Sequence, residues 1–195
     1  MSLVAAWPWA EAAAAMRFEQ VVERWHEFYL LAGTAAVTLV GLLFVALSFH
    51  LETLLHDSRA HLLALARHTF SGFVYVLLFS LMFLIPGTSE RELAVWSGAI
   101  SLAFLVVMFT RDRARGGSAD PSGHDRFLGR RRRQQVLVLL IGLATSIALA
   151  VRHDPEILMM FAAVMTLQLA GAAWTSWDLL VQVGRIKQSA ARPDA

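Results

Sequence analysis

The chain has no cysteine, a single lysine and few charges for its length. The absence of cysteine among its 195 residues excludes disulfides, thiolate catalysis, cysteine-ligated zinc and iron–sulfur clusters. Charged residues make up 16% of the chain and hydrophobic residues 57%, whereas ordinary soluble domains have about 25% and about 45–50%. Because the apolar residues fall in long blocks, the composition favours helices that face lipid over a large soluble core.

Catalytic and metal-binding patterns are also missing. The sequence has no GxSxG, P-loop or GxGxxG pattern, and its mid-membrane polar residues are Thr, Ser and Gln without a matching His or Asp, so we predict that the protein is not an enzyme. Four histidines lie close together, but their spacing and helical faces do not suit one metal ion, and we predict no metal site and no cofactor. These histidines are His50, His56, His61 and His68.

Five apolar stretches are long enough to cross a bilayer, which takes roughly 20 mostly apolar residues in a helix. We therefore predict an all-α fold, an integral membrane bundle of five transmembrane helices within residues 28–185. An outer amphipathic helix is predicted to precede it over 1–27, and a disordered tail to follow over 186–195. The predicted spans are about 28–49, 63–85, 93–110, 134–151 and 157–180.

The basic residues are concentrated on one side of this threading. Eight of the seventeen lie in the loop 111–133, predicted to be flexible, between the third and fourth spans. With five spans, thirteen basic residues fall on the side of this loop and four on the other. The positive-inside rule then predicts an N-out, C-in protein of a bacterial inner membrane.

The same loop ends in a run of four arginines. The pI is near 9.7, but the formal net charge is only +2, and the basic residues collect beside apolar spans. We therefore predict contact with anionic lipid headgroups rather than nucleic acid. Docking of an acidic partner is a compatible second role. The run is Arg130, Arg131, Arg132 and Arg133.

Two spans carry stripes of small and polar residues at helical spacing, where lipid-facing positions would favour Leu, Val or Phe. We predict close helix–helix packing along these stripes, within and between chains. The alternative is a pore lining formed by several copies. The stripe residues are Thr34, Thr38, Gly41 and Ser48 on the first span, and Gln168, Gly171 and Thr175 on the fifth.

Three ionisable side chains are predicted to lie at one depth near the cytoplasmic boundary. Glu52 closes the first span, His68 opens the second and Asp178 ends the fifth. Ionisable groups at membrane depth are costly and often functional. The hypothesis is a polar vestibule for an ion or a proton, and the alternative is salt bridging to nearby arginines.

The first span also resembles a known group of proteins. The segments are WHEFY (25–29), AGTAA (32–36) and GLLFVALS (41–48). They are similar to the first span of small uncharacterised bacterial multi-pass membrane proteins, in which an AGAAAALxGLLFVAxS pattern precedes an acidic residue. Some members are labelled modulators of the FtsH protease. The resemblance implies a membrane partner complex and no catalytic residues.

Two classes of function follow from these observations. The first is a non-enzymatic accessory protein, a self-associating bundle that binds or modulates a larger membrane complex. The alternative is a small homo-oligomeric ion channel or permeation pathway lined by the first span. A homo-oligomer is expected in both, because a bundle this small can bury few faces by itself.

Overall fold

The structure, a computed structural model, describes residues 8–49, 60–114, 124–152 and 157–190. These residues form five α-helices, and each contains an apolar segment long enough to cross a membrane. The prediction of an all-α chain with five helices of this kind is confirmed. The helices are α1 (Pro8–Phe49), α2 (Ala60–Leu84), α3 (Glu90–Ala114), α4 (His124–Arg152) and α5 (Ile157–Ala190).

The first helix is longer than its predicted span. It runs without interruption from Pro8 to Phe49, so the predicted outer helix and the first span are one element. Proline suits the first helical position, because its missing N–H would have no intrahelical partner there. The long alanine-rich segment that follows contains no glycine or proline before Gly33, so nothing in it stops the helix.

Helical structure also extends into the predicted flexible loop and tail. The third helix reaches Ala114 and the fourth begins at His124, which shortens the loop predicted over 111–133. The arginine-rich start of α4 contains no proline, and arginine is a good helix former. The fifth helix continues to Ala190, past the predicted start of the tail at 186, and no proline occurs before Pro193.

Successive helices run in opposite directions. On α1 and α2, Gly33 lies against Ser80 and Phe44 lies against Phe70, so residue numbers rise on one helix as they fall on the other. We call the end where α1, α3 and α5 terminate the basic end. It carries the exposed side chains of Arg111, Arg113, Arg132 and Arg133.

An aromatic cluster joins α1, α2 and α5 near the opposite end. Tyr29 stacks on Phe83 with ring centroids 4.0 Å apart, and Phe83 meets Phe161 edge to face at 5.5 Å. The Tyr29 hydroxyl donates a hydrogen bond of 3.3 Å to the Leu158 carbonyl. These rings are fully or almost fully buried, and such pairs add about 0.5–1.5 kcal/mol each beyond the area they bury.

A short turn fixes α3 beside α2. Gly87 has a φ of 74°, a left-handed conformation that glycine adopts without steric cost. Ser89 then caps α3, since its hydroxyl accepts from the Glu92 N–H at 3.3 Å while the Glu92 carboxylate accepts from the Ser89 N–H at 2.9 Å. This reciprocal pair is a capping box and satisfies two otherwise unpaired backbone donors.

The packing face of α1 is not the predicted stripe but the face beside it. Ala36 is fully buried, and a Cβ added at Gly33 would lie only 2.8 Å from the Ser80 Cβ. A Cβ added at Gly41 would meet no atom within 4 Å. The backbones of α1 and α2 therefore approach most closely where Gly33 provides no side chain.

This difference predicts opposite effects for two matched substitutions. Gly33→Leu should destabilise the monomer by about 1–3 kcal/mol, because overpacking forces α1 away from α2. Gly41→Leu should leave the stability of the monomer unchanged or slightly improved. Thermal unfolding in a detergent that keeps the protein monomeric checks both. Equal destabilisation by the two variants would contradict this packing.

Candidate functional site: a polar cleft between three helices

A small polar cavity lies where α2, α4 and α5 meet, toward the basic end. Its volume is about 20 Å³, enough for one water molecule or one hydroxyl group, since a water needs at least about 10–15 Å³ by this kind of measure. We call it the polar cleft. It is lined mainly by His68 and Gly72 of α2, Gln134 and Gln135 of α4, and Gln168, Gly171 and Thr175 of α5.

Two glycines make room for the amides of the cleft. A Cβ at Gly72 would lie 3.2 Å from Nε2 of Gln168, and one at Gly171 would lie 3.3 Å from Nε2 of Gln134. Both distances are tighter than ordinary van der Waals contact. The absence of a side chain at these positions lets the two glutamine side chains lie close against the neighbouring helices.

Some polar groups of the cleft have partners within the bundle. Gln135 donates from Nε2 to the Ser71 hydroxyl at 3.1 Å, and Ser71 donates to the His68 carbonyl at 2.8 Å. Thr175 donates to the Gly171 carbonyl at 2.7 Å. These bonds connect α4 to α2 and satisfy hydroxyl groups that lie away from water.

The Gln168 amide differs from these groups. Its side chain is only 6% exposed, and no residue in the described ranges forms a hydrogen bond with it. The amide borders the small cavity of the polar cleft, and an amide in apolar surroundings is stabilised by a hydrogen-bond partner. The cleft is therefore a hydrogen-bonding site with room for one small polar group.

A second polar network lies deeper in the bundle and joins α2, α3 and α4. The hydroxyls of Tyr75 and Ser101 are 3.1 Å apart, and those of Ser97 and Ser146 are 2.9 Å apart. All four side chains are fully or almost fully buried. Interhelical hydrogen bonds of this kind contribute on the order of 1 kcal/mol each.

This network was not predicted from the sequence. One signal was available: Ser97 and Ser101 are four residues apart on α3, as are Gly142 and Ser146 on α4. Small residues at that spacing mark close helix contacts. The partner, Tyr75, was not predictable, because periodicity does not show which helix a face meets.

The predicted stripe on α1 points away from the rest of the bundle. Thr34, Thr38 and Ser48 are exposed, and Gly41 has open space beside it. Each of the three hydroxyls donates a 2.8 Å hydrogen bond to the carbonyl four residues earlier. The stripe on α5 behaves differently, since Gln168 and Thr175 are buried and Gly171 is half-buried.

Two of the three members of the predicted vestibule lie in the part of the chain that the structure describes. His68 is half-buried and lines the polar cleft. Asp178 is half-buried one helical turn beyond Thr175 on α5, and Glu52 lies outside the described residues. The cleft thus brings His68, predicted as part of the vestibule, together with the α5 stripe.

The arginine run lies in the first part of α4 and directly precedes two glutamines that line the cleft. Arg132 and Arg133 are exposed, directly before Gln134 and Gln135. Arg130 and Arg131 belong to the same helix by their backbone, and their side chains lie outside what is described. Among the described residues, no three His, Asp or Glu side chains come together as a metal site would require.

A larger groove of about 280 Å³ lies at the opposite end, between α1 and the turn that joins α2 to α3. Its walls include Phe83 and Pro86, and its titratable residues Glu23 and His26 are exposed. Because these polar groups are exposed rather than buried and converging, we take the polar cleft as the candidate site.

Comparison of the chain with models of known protein families, with curated proteins and with solved structures finds no match. The resemblance of the first span to small bacterial membrane proteins therefore stays a prediction. The candidate site is argued from its geometry.

The deeper network yields a testable prediction at Gly142. A Cβ there would lie 2.5 Å from the Tyr75 hydroxyl oxygen, so Gly142→Ala should break the bond to Ser101 and destabilise the protein by about 1–3 kcal/mol. Adding Tyr75→Phe removes the clashing oxygen and should recover much of that loss.

Thermal unfolding of the two single variants and the double variant forms a double-mutant cycle. Gly98→Ala is the matched control, because its nearest contact would be an ordinary 3.5 Å to the Ser146 Cβ. Strictly additive effects of Gly142→Ala and Tyr75→Phe would contradict the direct contact.

Proposed function

We propose that this chain is a non-enzymatic multi-pass protein of a bacterial inner membrane, N-out and C-in, that self-associates and binds or modulates a larger membrane complex. One observation carries the proposal. The predicted contact stripe of α1 faces outward, beside a bundle whose helices are already packed against one another. A chain built in this way acts through its membrane-facing surface.

The packed interior supports this reading. Between α2, α4 and α5 the space amounts to about 20 Å³, whereas pockets for small molecules have about 300–1,000 Å³. Aromatic rings fill the contact between α1, α2 and α5. This part of the bundle leaves no room for a substrate or for a continuous aqueous path through one chain.

The outward stripe supports the self-association. In lipid, helices associate through close packing of small residues and through hydrogen bonds, because lipid tails are as apolar as leucine. Gly41 leaves the α1 backbone uncovered. The hydroxyls of Thr34 and Thr38 donate within the helix, yet each oxygen keeps lone pairs that can accept a further bond.

The orientation and the lipid contact rest on charge. Five alternating helices put the loop with eight arginines and the C-terminus on one side, with thirteen of the seventeen basic residues. Positive charge of this kind is retained on the cytoplasmic side. There the run from Arg130 to Arg133 would meet anionic headgroups, and each basic residue near such a surface contributes about 1 kcal/mol.

A homo-oligomeric channel lined by α1 is the second candidate. The observation in its favour is the row of exposed hydroxyls at Thr34, Thr38 and Ser48, which suits a water-filled passage between copies as well as it suits a contact. In a channel the stripe would face water, and in an accessory protein that self-associates it would face another protein surface.

A bulky side chain on the stripe separates the two candidates. Thr38→Trp should weaken self-association by about tenfold or more, since a loss of 1.4 kcal/mol already has that effect. Val37→Trp is the control, because Val37 is 51% exposed and faces about 100° away on the same helix. Light scattering after size-exclusion chromatography in mild detergent gives the assembly state.

Flux of small ions into liposomes is measured on the same samples. An unchanged assembly with lost flux would favour the channel. An unchanged assembly of Thr38→Trp with unchanged flux would contradict both roles for the stripe.

A further inference from the structure

We propose that copies of this chain associate head to tail, with the α1 stripe of one copy seated over the polar cleft between α4 and α5 of the next. This inference rests on the proposed self-association and names the two surfaces that meet. Three independent features of the chain support it: the spacing of the two stripes, their level in the bundle and their hydrogen-bonding chemistry.

The two stripes have the same spacing. Successive positions on each are three, four and three residues apart, and each α5 position is 130 residues after its counterpart on α1. In parallel register this spacing puts Gly41 opposite Gly171, a pair in which neither residue has a side chain to hold the two backbones apart. The positions compared are Thr38, Gly41, Val45 and Ser48 on α1, and Gln168, Gly171, Thr175 and Asp178 on α5.

The two stripes also lie at the same level. Within one chain α1 and α5 run in the same direction, and Tyr29 of α1 bonds to Leu158 of α5, an offset of 129 residues. The route through α2 gives offsets of 127 to 131 residues. Gly33 meets Ser80 on the antiparallel α2, which puts Gly72 level with Gly41, and Gly72 meets both Gln168 and Ala172.

Copies in one bilayer share depth and orientation. With an offset near 129 residues, Gly41 of one copy lies at the level of Gly171 of another to within about one helical turn, about 5.4 Å. Only a small vertical displacement is needed to bring the stripe to the cleft. The α1 stripe residues are exposed within the chain and are available for such a contact.

The hydrogen-bonding chemistry of the two surfaces is complementary. The Gln168 amide has no partner among the described residues, and the Gln134 amide is exposed at the rim of the cleft. The Thr38 oxygen can accept from an amide N–H while its own proton stays on the Thr34 carbonyl. The cavity of the cleft, about 20 Å³, is large enough for one hydroxyl group.

A symmetric pairing of two α1 stripes would satisfy fewer groups. The hydroxyls of Thr34, Thr38 and Ser48 already donate within α1, so two facing stripes would present acceptors to acceptors. The Gln168 amide would gain no partner in that arrangement. Because the contact joins two different surfaces, it leads to a closed ring when the rotation between copies closes.

The absence of cysteine makes disulfide trapping a direct test in native membranes. Chains carrying only Gly41→Cys are co-expressed with chains carrying only Gly171→Cys, and membranes are oxidised. A disulfide needs Cα atoms about 4.4–6.8 Å apart, the approach expected of two glycines in contact. The expected result is a cross-linked dimer that requires both variants, and a ladder of multimers when both changes are in one chain.

Two further variants keep the test decisive. Leu42→Cys paired with Gly171→Cys is the control, because Leu42 is 60% exposed but faces about 100° from Gly41, and it should give no cross-link. Thr38→Cys paired with Leu167→Cys probes the same contact at an exposed rim position, in case Gly171→Cys disturbs the nearby Gln134.

Each outcome bears on a different claim. Cross-linking of Gly41→Cys to itself, without the partner variant, would show a symmetric contact and overturn the head-to-tail docking while leaving self-association intact. An oligomer by light scattering that gives no cross-link at either pair would also overturn the docking. A wild-type chain that is monomeric by light scattering would overturn the docking and the proposed function together.

Discussion

The five helices are long and apolar enough to cross a membrane, and in the hydrocarbon core of a bilayer polar groups are stabilised only by partners within the protein or a neighbouring one. The helices satisfy their own backbones, and the hydroxyls of α1 return to carbonyls one turn earlier. Where polar side chains face the interior, they pair between helices, as Tyr75 does with Ser101 and Gln135 with Ser71. This requirement accounts for most polar contacts in the bundle. Among the described residues, the Ser80 and Ser176 hydroxyls are buried without a hydrogen-bond partner, and the Gln168 amide has none where it borders the polar cleft.

Glycine decides where the helices meet. Gly33, Gly72 and Gly142 each lie where a Cβ would fall within about 3 Å of a neighbouring helix, at Ser80, Ala172 and Tyr75 respectively. Removing a side chain at these points brings backbones and polar groups close enough to bond. At Gly41, by contrast, an added Cβ would meet no atom within 4 Å. A glycine of this kind on the outside of a bundle allows a second helix to approach closely.

The sequence predicts the helices well and their partners poorly. Five long apolar segments separated by charged or Pro-Gly-containing links define five helices, because hydrophobicity and turn chemistry are local properties. The stripes on α1 and α5 were also visible, since residues three and four apart share a face. Periodicity does not say what a face meets, and so the outward direction of Thr34 and Thr38 and the contact of Gly142 with Tyr75 needed the three-dimensional arrangement. Gln134 was missed because it stood at the edge of a predicted span beside the arginine run.

We propose above all that this chain works through contacts made by its membrane-facing surface. Native mass spectrometry of the wild-type protein, gently extracted from its own membranes, measures that directly. We expect assemblies that contain more than one copy of the 21.6 kDa chain, with any stoichiometric foreign subunit identifying the larger complex. A uniform homo-oligomer without a second protein would favour the channel alternative. A bare monomer, with no other copy and no foreign subunit, would contradict the account.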